Sequence, residues 1–250
     1  MSPEVHRAAA VGFERAADAY ERGRPDFPDD AVAAIASALD LRPGRTVLDL
    51  GAGTGKLGRV LAPTGARVVA VEPVAAMRRT MRERAPDIDV LDATAEALPL
   101  GPGDADAAVA AQAFHWFDGP RALAELTRVL PADGGLALIW NVRDESTTWV
   151  RAITDLIEPY RGDTPSYRSM RWRSAFDATT DWTPPERTSF PYVHVTTRDA
   201  AVDRVTSISF IAALDAPERA RVADEVRALL PADEEVAFPY RTDLWLSRRR

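Results

Sequence analysis

The residues best equipped for chemistry crowd into one short connection, Ala111-Gln-Ala-Phe-His-Trp-Phe-Asp118. An apolar run, Asp106-Ala-Ala-Val-Ala, precedes it and reads as a buried strand; Gly119-Pro120 follows and reads as the opening of a helix. A histidine at such a place can take a proton from a reacting group. Aromatic faces beside it attract a cation through the ring quadrupole. Three readings of His115 stay open: a base or acceptor-orienting group, a packing residue that holds the loop, or a ligand contact without proton transfer. Trp116 and Phe117 read equally as partly core.

A second constellation lies upstream, Asp49-Leu-Gly51-Ala-Gly53-Thr-Gly55. Glycines here let the backbone turn with positive φ and pass close to a ligand. The dinucleotide fingerprint fails, because its third glycine position holds Lys56, and the phosphate-cradling loop fails for want of a Gly-Lys-Ser/Thr ending. Val69-Ala-Val-Glu72-Pro73 follows, with an acid about 20 residues after the first glycine, where a carboxylate can take both hydroxyls of a ribose. The plain alternative for Glu72 is a solvated charge at a strand end.

Elements that position these groups follow from the apolar pattern. Residues 1–23 read as a helix and 29–39 as another, separated by Arg24-Pro-Asp-Phe-Pro28. Then come strand 46–50, helix 55–62, strand 67–71, helix 74–84, strands 88–91 and 106–111, helix 120–130 and strand 135–140. Short apolar runs between helices mark parallel strands buried on both faces. The expected fold class is α/β, a doubly wound sheet with ligands at the carboxyl ends of its strands. Farther on, 146–159 reads as helix, 190–196 as a strand, 198–230 as two helices split near Asp215-Ala-Pro217, and 236–246 as a strand.

Composition narrows the function classes. The chain has 250 residues, no cysteine, three histidines and a net charge of −7. Disulfides, thiolate metal sites and a cysteine nucleophile are excluded, and the scattered histidines offer no metal site. The acidic balance argues against nucleic-acid binding, which rests on phosphate contacts. No apolar run reaches the ~20 residues of a membrane span, and the N-terminus lacks a signal core, so a soluble cytoplasmic protein is expected. Oligomeric state is not legible.

Val47-Leu-Asp-Leu-Gly-Ala-Gly-Thr-Gly55, Val68-Val-Ala-Val-Glu-Pro73 and Val90-Leu-Asp-Ala-Thr-Ala-Glu-Ala-Leu-Pro-Leu100 resemble, in order and spacing, successive motifs of the class I S-adenosylmethionine-dependent methyltransferases. The likeness covers about residues 10 to 140. It implies a seven-stranded Rossmann-like sheet of order 3-2-1-4-5-7-6 with strand 7 antiparallel, 236–246 as strand 7 and 190–196 as strand 6. It also implies one domain in four parts: N-terminal helices over the cofactor (1–40), an S-adenosylmethionine-binding core (41–145), acceptor-binding or lid elements with strand 6 (146–235), and strand 7 with a basic tail (236–250).

The same resemblance assigns roles. Gly51, Ala52 and Gly53 would lie against the methionine moiety and ribose, and Glu72 would hold the ribose hydroxyls. Pro73 and Met77 would line the adenine pocket; Asp92 would accept from the adenine amino group, and the Ala93 amide would donate to the ring. Asp49 would brace the glycine loop. Gln112-Ala-Phe-His115-Trp116-Phe resembles a subgroup acting on small molecules, carboxylates such as aconitate among them, in which Tyr20 and Arg24 would close over the cofactor and Gln112 would sit beside it. Enzymatic methyl transfer to a small-molecule oxygen, with S-adenosylhomocysteine as product, is the leading expectation; a C- or N-methyltransferase or a silent cofactor-binding regulator is the alternative.

Tyr160 to Trp182 is rich in arginine and aromatics. Tyr167, Arg168, Arg171 and Trp172 would suit a lid over an anionic or apolar acceptor, since the planar guanidinium fork matches a carboxylate. A surface excursion packed over its aromatics is the competing reading. His194 is a strand residue that could line the acceptor pocket. Without an Asn/Asp-Pro-Pro-aromatic motif or a catalytic tyrosine–lysine pair, nucleic-acid methylation and nicotinamide chemistry are disfavoured.

Overall fold

The computed structural model describes residues 23–250; the expected first helix, and Tyr20 with it, lies outside the described residues. Five parallel strands form the centre: β1 (Thr46–Leu50), β2 (Arg67–Val71), β3 (Asp89–Leu91), β4 (Ala107–Ala111) and β5 (Gly135–Arg143). Because side chains alternate across a strand, each strand feeds two cores. Val47, Val68, Ala70, Ala107 and Val109 pack on one side beneath α1 (Asp29–Ala38), α2 (Lys56–Leu61) and α3 (Ala75–Arg84). Leu48, Val69, Val71, Ala108 and Ala110 pack on the other, with α4 (Gly119–Val129) and the short α6 (Ser174–Asp177).

Two long antiparallel strands complete the sheet, β6 (Glu186–Thr197) and β7 (Glu235–Arg248), in the order β3-β2-β1-β4-β5-β7-β6 expected from the sequence. A third core gathers α5 (Thr148–Ile157), α7 (Arg198–Thr206), α8 (Ser209–Ala212) and α9 (Ala216–Leu229) against Val236, Phe238 and Tyr240 of β7. The expected split falls at Asp215, whose carboxylate accepts from the Glu218 N–H at 2.9 Å to cap α9. The stretch before it holds two helices instead of one.

Three boundaries differ for physical reasons. β5 runs three residues past the expected end at Trp140, because antiparallel pairing continues to Arg143 opposite Tyr240 after the apolar run has stopped. β6 is longer at both ends than 190–196; it lies at the sheet edge, where Pro191 costs no ladder bond on its open side. The terminal arginines do not form a loose tail: Arg248 ends β7, its guanidinium donating to the Ala38 carbonyl, and that of Arg249 donates to the Leu130 carbonyl.

Ile139 of β5 is fully buried in the first core and is paired on both sides, with Ala111 and Leu244. Ile139→Ala is expected to lower unfolding free energy by about 2–5 kcal/mol in urea titration, the range for truncating a packed aliphatic side chain.

Candidate active site

The glycine turn leaves β1 with φ of 63° at Gly51, 59° at Gly53 and 81° at Gly55, a left-handed run that side chains oppose. The Gly51 N–H donates to the Val71 carbonyl at 2.8 Å, stitching the turn to the end of β2. A Cβ on Gly51 would come within 2.8 Å of the Ala113 Cβ, so the turn rests directly on the connection after β4.

Glu72 is buried at the end of β2 and receives two backbone amides, Gly53 N–H on Oε2 and Val74 N–H on Oε1, both at 2.8 Å. Burial pushes its pKa upward, against the pull of those amides and of Arg78. Arg78 also donates to the Glu72 carbonyl (2.8 Å) and to Asp92 Oδ2 (2.7 Å), while the Asp92 side chain remains 70% exposed. Met77 is buried and Pro73 and Ala93 are half-buried on the same rim. The sequence-predicted residues from the first three strands therefore share the carboxyl edge of β1, β2 and β3. Asp49 accepts from Gly58 N–H at 3.1 Å, bracing the helix after the loop instead of the glycines. Its pKa is pushed up to about 7 by burial and by the nearby Glu72 charge.

After β4, Gln112 adopts φ 58°, an uncommon conformation for a residue with a side chain. Its N–H continues the ladder to Ile139 O at 2.8 Å and its side-chain amide donates to Asn141 O at 3.3 Å. Phe114–Trp116 form one 3₁₀ turn, and Asp118 caps α4 by accepting from Arg121 N–H at 3.3 Å. The crowding resolves into two faces. Phe114 points into the core against Trp172 and Phe176, with ring centroids 6.2 and 5.7 Å away. His115 and Trp116, both half-buried, face a cavity of about 150 Å³. His115 Nδ1 accepts from the buried Trp140 indole N–H at 3.2 Å, and burial with the positive charges of Arg24 and Arg161 pushes its pKa down to about 3.

Five arginines line this cavity (Arg24, Arg143, Arg161, Arg168 and Arg204), and among the described residues no Asp or Glu does. Arg168 pairs with Glu145, and Arg161 with Glu158 at 2.9 Å, from outside the lining. Among the described residues neither Arg143 nor Arg204 has an ion-pair partner, and buried guanidinium nitrogens of both, Nη1 of Arg143 and Nε and Nη1 of Arg204, find no hydrogen-bond acceptor. Burial and the Arg204 charge pull the Arg143 pKa down to about 9.

Three expected acceptor residues lie elsewhere. Trp172 is buried in the core, its ring 4.9 Å from that of Trp140 and 5.2 Å from that of Trp245, because the excursion packs its aromatics inward. Arg171, next to it, is exposed. His194 stands on β6, away from the cavity lining, with a buried Nε2 that has no acceptor or donor opposite it among the described residues and a pKa lowered by burial. Tyr167 and Arg168 do line the cavity; Tyr167 OH donates to Asp243 Oδ2 at 2.7 Å. Sequence reasoning missed Trp140, Asn141, Arg143 and Arg204. The polar residues closing an apolar strand, Asn141 and Arg143, were the available signal; Arg204 sits in a helix with none.

Comparison with known proteins bears on the whole chain. The family description "Methyltransferase domain" matches residues 48–138. An uncharacterised methyltransferase of Mycobacterium tuberculosis is 38% identical over 242 residues, covering 94% of this chain and 95% of that one. The chain belongs to the class I S-adenosylmethionine-dependent methyltransferases. An uncharacterised methyltransferase-like protein of Schizosaccharomyces pombe is 30% identical over 237 residues, 92% of each. The structure of Haemonchus contortus phosphoethanolamine N-methyltransferase 2 shares the fold, with TM-score 0.56 and 14% identity over 94% of this chain and 57% of that one. This methyltransferase thus uses S-adenosylmethionine. Among the described residues, no helix is long and apolar enough to cross a membrane.

Asp49 supplies a pH test of the methyltransferase. A pKa raised from 3.8 to about 7 means the folded state binds the extra proton, so its stabilising contribution is full below pH 4 and lost as pH rises through 7. Urea titrations at pH 5 and pH 8 are expected to show Asp49→Asn gaining stability relative to wild type at the higher pH, by up to about 3 kcal/mol, the two pKa units between pH 5 and the folded value.

Proposed function

We propose that this methyltransferase transfers the methyl group to a carboxylate oxygen of a small anionic molecule. The observation that carries this reading is the cavity beside His115, lined by five arginines and no acid among the described residues. A guanidinium left buried without an acceptor is costly, and a carboxylate is its matching partner. A protonated amine would meet only like charge there, which disfavours nitrogen acceptors.

S-adenosylmethionine supplies a methyl group already activated on a sulfonium. The protein's task is then to bind, align and exclude water. Gly51, Ala52 and Gly53 would leave room for the methionine moiety and ribose. Each Glu72 oxygen has one lone pair engaged by a backbone amide and another for a ribose hydroxyl. Pro73, Met77 and Ala93 would flank the adenine, with the free oxygen of Asp92 accepting from its amino group. Gln112 and Arg24, which line the arginine cavity, would reach the cofactor, with Asn141 fixing the backbone at Asp26 through a 2.9 Å hydrogen bond. Arg143 and Arg204 would take the acceptor anion, while Trp116, Tyr167 and Arg168 would wall it in, giving 146–235 its acceptor-binding role.

The test uses methyl-labelled S-adenosylmethionine with an extract of small metabolites. The expected product releases its label as methanol in mild base, as methyl esters do; a label stable to base assigns a hydroxyl, nitrogen or carbon acceptor and overturns the reading. Glu72→Ala is expected to weaken cofactor binding by roughly 10- to 100-fold in calorimetry, for the loss of charge-assisted bonds. Arg204→Gln is expected to raise the acceptor KM about tenfold or more while cofactor affinity stays within about twofold.

A further inference from the structure

From the 3.2 Å bond between Trp140 Nε1 and His115 Nδ1, we infer that Trp140 is a positioning residue that locks His115 in the tautomer carrying its proton on Nε2, so that His115 serves the acceptor as a hydrogen-bond donor and not as a base. This rests on the carboxylate reading and specifies how that acceptor is held.

An indole nitrogen can only donate. Trp140 is 1% exposed, so its N–H has no water to turn to, and His115 Nδ1 is its partner. The neutral imidazole has one donor and one acceptor nitrogen. With Nδ1 accepting, the proton resides on Nε2. A flipped ring would set a C–H against the buried indole N–H, at the cost of an unmade hydrogen bond. A protonated ring would set Nδ1–H against the indole N–H, donor against donor.

The ring's surroundings act in the same direction. The charged groups facing it come from separate elements: Arg24 before α1, Arg143 at the end of β5, Arg161 and Arg168 in the connection after α5, and Arg204 of α7. All are cations, and no carboxylate among the described cavity residues is there to support an imidazolium. Burial and the Arg24 and Arg161 charges hold the ring neutral far below neutral pH.

A neutral imidazole whose lone pair is occupied cannot deprotonate a hydroxyl. It can donate Nε2–H to an oxygen that is already anionic. For a carboxylate the step balances without a base: the new bond joins acceptor oxygen to methyl carbon, the sulfur–methyl bond breaks, its electron pair returns to sulfur, and no proton moves. Trp140 thereby contributes to acceptor selection, since a neutral alcohol reaching the same place would find no carboxylate or free imidazole lone pair among the described cavity residues to take its proton.

The decisive measurement is long-range proton–nitrogen NMR on protein labelled with ¹⁵N-histidine, the His115 signal being assigned by its absence from His115→Gln. The expected spectrum has His115 protonated at Nε2 alone and unchanged from pH 5 to 9; a proton on Nδ1, or titration within that range, overturns the inference. Trp140→Phe is expected to release the lock, giving a mixture of the Nδ1–H and Nε2–H tautomers in a ring that burial and the arginine charges still keep neutral, with kcat falling about twofold or more and cofactor affinity nearly unchanged. Glutamine sets an amide N–H where the imidazole Nε2–H stood and cannot act as a base. His115→Gln is therefore expected to keep turnover within about tenfold of wild type, with His115→Ala much lower; equal losses in the two variants count against a donor role. A base-stable methyl product with the Nε2 tautomer intact would sink the carboxylate reading alone, whereas a base-labile product with a titrating His115 would sink the tautomer lock alone.

Discussion

Beyond Ile139, strand β5 has a neighbour on one side only. Its parallel partner β4 has ended at Ala111, yet β7 continues antiparallel to it as far as Tyr240 opposite Arg143. This half-paired extension is the constraint on which the site depends. It holds Trp140, Asn141, Val142 and Arg143 as a straight, hydrogen-bonded rod beside the cavity, with one edge open. Gln112 leans across that edge, its side chain meeting the Asn141 carbonyl, and Asn141 in turn ties down Asp26 and accepts from Thr242 Oγ1 at 2.6 Å. Strands place side chains more rigidly than loops do, which is what alignment of a methyl acceptor requires.

Electrostatics divide the carboxyl edge of the sheet into two territories. Around β1 to β3 the groups are acidic, Asp49, Glu72 and Asp92, their charge tempered by backbone amides and Arg78. Around β4, β5 and α7 they are guanidinium groups, some buried without a counter-charge. Under the proposed function the first territory would take the cationic cofactor, rich in hydroxyl and amine donors, and the second the anionic acceptor. His115 sits in the second, where burial first, and the Arg24 and Arg161 charges after it, keep the imidazole neutral.

Most of the sheet could be read from the chain because its strands are short apolar runs flanked by glycine and helix signals, and β1 and β2 fall at the expected residues. The cofactor edge was legible through the glycine turn and Glu72, whose spacing follows from one strand–helix–strand unit. The acceptor side was harder. Arg143 and Arg204 come together from a strand end and a helix about 60 residues apart in sequence, a proximity no local pattern encodes, and Trp140 looks in sequence like one more core residue. Trp172 misled for the opposite reason: an aromatic among arginines resembles a lid, but the excursion turns it inward against Phe114 and Trp140.

The near contact between Gly51 and Ala113 has a mechanical consequence. Between the turn that faces one substrate and the turn that carries His115 there is no space for even an added methyl. A displacement of the glycine turn toward this connection would press on the loop that carries His115. With the cofactor on the glycine turn and the acceptor in the arginine cavity, as proposed, coupling through this contact would be reciprocal, each raising or lowering the other's affinity by the same factor.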